Sequence, residues 1–292
     1  MTEPPPVPDS SKSKIALTGT AATLLLSLAC RVDDCHQPEP ISNDKWAGYV
    51  AEQIDYDFNS IGISPITRDA ICFRSACFDA WTREFLDQNK DRELTVLHIA
   101  CGLDARAHRV GFGANVRWID LDLPDVVELR RKLLPEPAGD YKLIAGSALD
   151  ESVIASIPND RPTAVVIEGL MYYIEEAQVH DLIRSLCTRF PSGELIFDAM
   201  NPLVVTIHRW TRRFANLVSG TWMERQGTGF VSGIGDPVAV EKLHPGLKLR
   251  SSIPWIRLQV KNPSLGQWVA SWLAMLPVMQ FTGYNLRYTF ES

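Results

Sequence analysis

Features that would place this chain of 292 residues in a special class of proteins are scarce. A membrane-spanning helix needs about 20 mostly apolar residues; the most apolar stretch, Ile15 to Cys30, is interrupted by threonine, serine and glycine, and we interpret it as an amphipathic helix packed on the body. Basic residues are outnumbered, 29 against 35 acidic residues, which gives a net charge of −6. Because this balance provides no general attraction to polyanions, we expect neither a nucleic-acid nor a membrane partner.

Cysteine motifs for metal binding are also missing. The six cysteines are Cys30, Cys35, Cys72, Cys77, Cys101 and Cys187. They form two C-x4-C pairs, with no C-x2-C pair and no histidine-paired cluster of the kind that zinc requires. We therefore expect reduced thiols, no metal and a cytoplasmic location.

The first third of the chain has a helical pattern. Residues 1–14 contain too few apolar side chains to pack, so we expect a flexible tail there. Over residues 15–90, apolar side chains such as Trp46, Tyr49 and Val50 recur at helical spacing, which predicts a mostly helical cap.

Short apolar runs then alternate with helix-sized segments. The predicted strands are Thr95 to Ala100, Val116 to Leu121, Lys142 to Ala145, Ala164 to Ile167 and Glu194 to Phe197. The predicted helices between them are Ala105 to Val110, Pro124 to Leu134, Glu151 to Ile157 and Glu175 to Phe190. This alternation predicts an α/β fold with a doubly wound, parallel sheet.

The last third is less regular. It contains two helical patterns, Pro202 to Val218 and Gln267 to Leu276, and a strand pattern at Leu247 to Ile256. Tyr284 to Phe290 alternates between apolar and polar residues, so we expect an edge strand there.

Ligands of an open α/β sheet bind beyond the carboxyl ends of the strands, so the residues after each strand are the candidates. Gly102 follows the first strand and allows a ligand to approach the backbone closely. The fingerprint G-x-G-x-x-G is absent, since Ala100 and Ala105 stand where further glycines would be. This argues against a dinucleotide cradle, and hence against a nicotinamide dehydrogenase.

Two acids, Asp120 and Asp122, end the second strand and lie on one face. An acid about 20 residues after the glycine turn is placed to accept hydrogen bonds from ribose hydroxyls. We expect one of the two to bind ribose and the other to have a structural role. The alternative is that one of them caps the helix that begins at Pro124.

Two further strand ends carry polar residues. Ser147 and Ala148 follow the third strand and are placed to meet an adenine edge, although a helix cap for Glu151 to Ile157 is an equal alternative. Glu168 follows the fourth strand directly. Its charge must be paired there, and a cationic ligand group is the natural partner.

Several motifs, in this order and spacing, carry a family resemblance. They are HIACGLDARAHRV, WIDLDLPDVVELR and VVIEGLMYYI, with FRSACFDAWTREFL before them and LHPGLKL after them. From Lys14 onward the chain resembles the leucine carboxyl methyltransferase family, most of all its tetracenomycin-type polyketide O-methyltransferase branch. The resemblance implies a Rossmann-like class I methyltransferase with S-adenosyl-L-methionine as the methyl donor. It also implies a seven-stranded, mainly parallel sheet with a helical N-terminal cap.

The resemblance implies a division of the chain and a role for each candidate residue. Residues 15–292 would form one domain, with the cap at 15–90, the donor-binding core at 91–200 and acceptor-side helices and final strands at 201–292. The implied donor contacts are Arg74 at the carboxylate, Gly102 beneath the methionine portion, Asp122 on the ribose, Ser147 and Ala148 beside the adenine, and Glu168 near the amine. The chain departs from the family in two places: Ala100-Cys101-Gly102 stands where a glycine-alanine-glycine turn is frequent, and Ser147 where an acid is frequent.

The acceptor implied by the branch is a small secondary metabolite, such as a polyketide, bound to a monomer or a homodimer. A carboxylate acceptor needs no general base, whereas a phenol with a pKa of about 10 would benefit from one. Candidate bases are Tyr172, Asp198 and His208. The tryptophans Trp46, Trp210, Trp222 and Trp255 are candidates for lining a flat acceptor site.

Two alternative functions keep the same donor. One is a cyclase or isomerase that binds S-adenosyl-L-methionine without transferring the methyl group. The other is methylation of a protein carboxyl terminus, which the wider family name suggests; the branch features at both ends of the chain favour a small molecule.

Overall fold

A seven-stranded sheet forms the centre of the protein. The computed structural model describes residues 2–8, 12–14, 22–215, 228–255 and 282–292. In chain order, the strands of this sheet are β1 (Leu94–Ile99), β2 (Val116–Asp122), β3 (Asp140–Ala145), β4 (Thr163–Ile167), β5 (Ser192–Met200), β6 (Lys248–Pro254) and β7 (Gly283–Glu291). Their order in the sheet is β3-β2-β1-β4-β5-β7-β6. The first five are parallel, and β7 is antiparallel to β5 and β6, so the expected α/β fold with a mainly parallel sheet is confirmed.

The central strands are buried along their whole length because helices cover both faces of the sheet. Every residue of β1 and β4 is buried, as is typical of parallel strands. The eight α-helices of the described residues are α1 (Thr23–Cys35), α2 (Lys45–Glu52), α3 (Pro65–Gln88), α4 (Arg106–Val110), α5 (Pro124–Leu133), α6 (Glu151–Ser156), α7 (Glu176–Arg189) and α8 (Pro202–Ala215). On one face, α3 packs Phe78 and Phe85 against β1; on the other, α7 packs Leu182 and Ile183 against the sheet.

The last strand is not an edge strand, contrary to the expectation for Tyr284 to Phe290. β7 lies between β5 and β6, and β6 forms that edge of the sheet. Its polar residues are buried but paired: Arg287 Nε donates to Glu194 Oε2 at 2.7 Å, and Asn285 Oδ1 accepts a hydrogen bond from Trp255 Nε1 at 2.9 Å. The alternation therefore marks side chains with internal partners, not a face in contact with water.

The described residues of the N-terminal segment, 2–8 and 12–14, make contacts with the rest of the protein. The carbonyl of Thr2 accepts a hydrogen bond from Trp46 Nε1 at 2.8 Å, and Ser13–Lys14 forms a short parallel pair with Ile54–Asp55. A proline-rich segment has little conformational freedom to lose, so a few such contacts suffice to hold it.

Some expectations fall outside the described residues. These are residues 15–21 of the apolar stretch, 216–218 of the helix from Pro202, Trp222, Ile256 and all of Gln267 to Leu276. None of the helices in the part of the chain that the structure describes is long and apolar enough to cross a membrane.

Candidate donor and acceptor site

The turn after β1 is held in a left-handed conformation. Ala100 has φ of +53° and Gly102 has φ of +52°. The amide of Gly102 donates to Asp122 Oδ2 at 2.6 Å, and a Cβ added at Gly102 would lie 3.6 Å from Leu24 Cβ in α1. The turn therefore lies between the end of β2 and helix α1.

The two acids of β2 have different surroundings. Asp120 is fully buried, and its carboxylate accepts hydrogen bonds from Arg130 Nη2 at 2.5 Å, Tyr141 Oη at 2.8 Å and Trp118 Nε1 at 2.8 Å. Burial would raise the pKa of Asp120, but the charge of Arg130 and the hydrogen bonds from His98 and Trp118 together outweigh it and lower this pKa to about 2. The protein itself therefore supplies both the counter-charge and the hydrogen-bond donors of Asp120.

Asp122 is the acid at the ligand end of the strand. Besides Gly102, its carboxylate accepts a hydrogen bond from the Leu123 amide at 2.7 Å. Burial raises the pKa of Asp122, and the two amide hydrogen bonds, which lower it, offset only part of this effect. Neither acid caps α5, because its N-cap residue, Leu123, is not one of them and has no side-chain hydrogen bond.

Ser147 and Ala148 lie next to the Asp122 backbone. The amide of Gly146 donates to the Asp122 carbonyl at 2.8 Å, so the loop after β3 borders the end of β2. The side chain that caps α6 is Asp150, which accepts from the Ser152 amide. Ser147 Oγ accepts only a weak hydrogen bond from Leu149 at 3.2 Å, so the cap alternative for Ser147 is wrong.

Glu168 is paired by the protein, not only by a ligand as we expected. Arg74 Nε donates to its Oε1 at 3.0 Å, and Arg106 Nη2 donates to its Oε2. Burial would raise the pKa of Glu168, but the two guanidinium charges prevail and lower it. A carboxylate thus persists at the end of β4 because helices α3 and α4 both direct an arginine to it.

Arg74 belongs to the strand-end site and not to the surface of the helical segment. Its Nη1 donates to Asp198 Oδ2 at 2.8 Å and to Tyr172 Oη at 2.9 Å. Asp69 and Asp79, which lie in the same helix as Arg74, have other partners: Asp69 pairs with Arg68, while the partners of Asp79 are Arg83, Arg106 and Arg109.

Two of the candidate bases are bound by the same arginine. Asp198 is fully buried and also accepts the Gly169 amide at 2.7 Å. Burial raises the pKa of Asp198 despite the charge of Arg74. Burial and the Asp198 charge together raise the pKa of Tyr172 well above its ordinary value. A phenol that stays neutral and accepts a hydrogen bond from Arg74 has a poor arrangement for a general base.

Aromatic side chains surround Tyr172. This aromatic cluster consists of Tyr172, Tyr173, Phe230, Trp255 and His208. The Tyr172 ring lies 4.7 Å from that of Tyr173, 5.4 Å from Phe230 and 6.5 Å from Trp255, and His208 lies 4.8 Å from Phe230.

The structure separates the candidate tryptophans. Trp255 belongs to the aromatic cluster, whereas Trp46 stacks on His108 at 3.9 Å and Trp210 is 68% exposed on α8. Trp222 lies outside the described residues.

Sequence reasoning missed the arginines that hold the site. Arg130 binds Asp120 and also donates to the Gly102 carbonyl at 3.0 Å; Arg106 binds Glu168. Arg106 stands between Ala105 and Ala107, and a basic residue flanked by apolar ones is a signal for an internal partner. Arg130 is followed by Arg131 and Lys132, so its sequence gives no such signal.

A family model described as leucine carboxyl methyltransferase matches residues 25–187. The chain belongs to this family. It is 37% identical over 282 residues to the tetracenomycin polyketide synthesis O-methyltransferase TcmP of Streptomyces glaucescens, covering 94% of this chain and 98% of that relative. It is 30% identical over 279 residues to the S-adenosyl-L-methionine-dependent methyltransferase dpfgK of Gibberella zeae, covering 90% and 91%.

A crystal structure described as that of a methyltransferase from Thermobifida fusca is similar over 99% of both chains, with a TM-score of 0.54 at 15% identity. This likeness shows the fold alone. Together, the matches confirm the family resemblance, the enzyme class and S-adenosyl-L-methionine as the donor. They do not support a cyclase or isomerase.

The described residues fit the amino-acid end of this donor. Arg74 is a cation that could bind the donor carboxylate, and Glu168 is an acceptor that could bind the amine. Arg106 Nη1, on the guanidinium that binds Glu168, is buried without an acceptor among the described residues. Gly169 has φ of +72°, and a Cβ there would lie 3.7 Å from Arg74 Nη2, so the backbone leaves room beside the guanidinium.

Proposed function

We propose that this enzyme transfers a methyl group from S-adenosyl-L-methionine to a carboxyl or phenolic oxygen of a small aromatic acceptor, such as a polyketide. The observation that carries the proposal is the contact of Arg74 with Glu168. This contact joins α3 to the carboxyl end of β4. Gly102, Asp122 and Ser147 also lie at the carboxyl ends of parallel strands.

The proposed donor contacts lie at the carboxyl ends of the parallel strands. Arg74 binds the carboxylate, Glu168 the amine, and Asp122 the ribose hydroxyls. Ser147 and Ala148 border the adenine, and Leu123, which is 45% exposed after β2, is placed to pack on its face. Asp120 has no direct contact in this proposal and instead holds Arg130 beneath the turn.

The aromatic cluster is the proposed acceptor site. It adjoins the donor contacts through Tyr172, whose hydroxyl binds Arg74, and its rings offer edges and faces against which a planar acceptor packs well. When bound, the donor supplies an activated methyl group, and the chain's residues mainly align the two reactants. Identity to TcmP supports a polyketide acceptor.

A carboxyl acceptor is the form that these residues favour. It is ionised at pH 7 and needs no base, and both Tyr172 and Asp198 are engaged by Arg74. A phenolic acceptor would depend on His208, the remaining candidate base. A protein carboxyl terminus stays the alternative acceptor that the family name suggests.

The test is a transfer assay with donor labelled with deuterium on the methyl group. Aromatic polyketide acids and phenols serve as acceptors, and a peptide with a free carboxyl terminus is included for comparison. Mass spectrometry should show the labelled methyl group in the product. Mild alkali cleaves a methyl ester and leaves an aryl ether intact, which identifies the oxygen. Donor binding without transfer to any acceptor would overturn the proposal.

A further inference from the structure

We infer that Arg106 is a positioning residue for the donor: it holds Glu168 in the orientation that receives the methionine amine. The inference rests on the proposed function, because it concerns how the donor is recognised. The contact that suggests it is the hydrogen bond from Arg106 Nη2 to Glu168 Oε2, on the carboxylate oxygen that Arg74 does not use.

Arg106 is itself held rigidly. It begins α4 and is fully buried. Its Nη2 lies 3.0 Å from Asp104 Oδ2, its Nε lies 3.1 Å from Asp79 Oδ1, and its guanidinium carbon lies 5.7 Å from the centre of the Phe78 ring. A buried guanidinium with acids on two edges and an aromatic ring nearby has little freedom to reorient.

Two arginines on one carboxylate fix its plane. Each Glu168 oxygen accepts one guanidinium hydrogen bond, and an ionised carboxylate has about four lone-pair sites. Lone pairs therefore remain on both oxygens for an ammonium group. If the hydrogen bond from Arg106 were lost, only Arg74 would hold Glu168. The carboxylate could then turn both oxygens toward Arg74, which would leave it less available to the ligand amine.

A comparison with Arg109 distinguishes the positioning role of Arg106 from a general role in stability. It lies in the same helix, is 1% exposed, and pairs with the same two acids, Asp79 and Asp104. It pairs with Asp44 too, but no hydrogen bond or ion pair joins it to Glu168 in the described residues. Arg109→Lys is thus a matched control for Arg106→Lys, since lysine keeps the charge and loses the fork in both.

The experiment compares two ligands by calorimetry: S-adenosylhomocysteine and 5′-methylthioadenosine, which lacks the amino-acid end. We expect Arg106→Lys to weaken S-adenosylhomocysteine binding roughly tenfold, as the loss of part of a charged hydrogen bond would. Binding of 5′-methylthioadenosine should change less than about twofold. Arg109→Lys should change both affinities by the same factor. Wild-type affinity in Arg106→Lys, or equal losses for both ligands, would overturn the inference.

Melting curves check that the variants are folded. If Arg106→Lys does not fold, Asp79→Asn takes its place, because it keeps Arg106 and removes the charge at its Nε. It should weaken S-adenosylhomocysteine binding selectively, by a smaller factor, and an unchanged ratio of the two affinities would overturn the inference. Wild-type protein that binds neither ligand would instead contradict the proposed function.

Discussion

Arg74 in α3 and Glu168 at the end of β4 form a buried ion pair across 94 residues of sequence, with Nε 3.0 Å from Oε1. Asp198 shares the same guanidinium at 2.8 Å. A substitution that removes the cation would leave the buried Asp198 without a counter-charge and Glu168 with Arg106 alone. Breaking a buried ion pair in this way typically costs about 3–5 kcal/mol. The residue that binds the donor carboxylate in our proposal therefore also stabilises the fold, and its test must keep the charge.

Arg74→Lys is the suitable variant. We expect S-adenosylhomocysteine to bind about tenfold more weakly, because lysine keeps the charge but cannot reach several oxygens at once. Calorimetry measures the affinity. Arg68→Lys is the control, since Arg68 lies in the same helix but pairs with Asp33 and Asp69. Equal affinities in the two variants would contradict the placement of Arg74 at the donor.

Substitutions of the two acids of β2 should have different effects: one should lower the affinity for the donor, and the other the stability of the fold. Asp122→Asn keeps an oxygen for the Gly102 amide but weakens acceptance from ribose hydroxyls, so both S-adenosylhomocysteine and 5′-methylthioadenosine should bind about tenfold more weakly. Asp120→Asn should mainly lower the melting temperature, because Arg130 loses its buried counter-charge. Calorimetry and thermal melting check the pair. A larger loss of affinity in Asp120→Asn would mean that the ribose contact is assigned to the wrong acid.

Acid should destabilise the protein partly through Asp120. Its pKa falls from an ordinary 3.8 to about 2 in the folded state. A carboxyl with a lowered folded pKa contributes stability that is complete above its unfolded pKa and is lost as the pH falls through the folded value. We expect about 2 kcal/mol of such stability, lost between pH 4 and pH 2. Urea unfolding should show the difference between wild type and Asp120→Asn shrinking over this range; a constant difference would contradict the assignment.

Strands and helices with a clear apolar run or a clear hydrophobic period could be predicted from the sequence. The apolar runs of β1 and β4 and the amphipathic pattern of α7 appear in the structure within one or two residues of the expected bounds. The position of β7 between two strands was not predictable from its alternation, because the partners of Arg287 and Asn285 come from distant segments. The same holds for Glu168: pattern predicts that its charge is compensated, but only the fold brings Arg74 and Arg106 to it.

The turn after β1 offers a test of a departure from the family. Ala100 has φ of +53°, where a side chain costs roughly 1–2 kcal/mol relative to a right-handed conformation. Its methyl group packs against buried side chains of the core, which offsets part of this cost. We expect Ala100→Gly to leave donor affinity within about twofold and to change the free energy of unfolding by less than about 1 kcal/mol. Tighter donor binding in this variant would instead indicate that the Ala100 methyl group narrows the donor pocket.

The role of Tyr172 can be decided by removing its hydroxyl. The hydroxyl accepts a hydrogen bond from Arg74 Nη1 at 2.9 Å, and burial raises the pKa of the phenol well above its ordinary value. Tyr172 should therefore be neutral at every pH at which the enzyme is assayed. Phenylalanine keeps the ring in the aromatic cluster and leaves Arg74 bound to Asp198 and Glu168.

For Tyr172→Phe, we expect kcat to fall less than about tenfold, since a general base is worth about 10²–10⁴-fold. The pH dependence of kcat/KM should keep its shape. His208→Asn, assayed in parallel, identifies the acceptor oxygen: with a carboxyl acceptor the profile should again be unchanged, because the acceptor is already ionised. A loss of more than a hundredfold in Tyr172→Phe, together with loss of the rise of kcat/KM with increasing pH, would instead make Tyr172 the base.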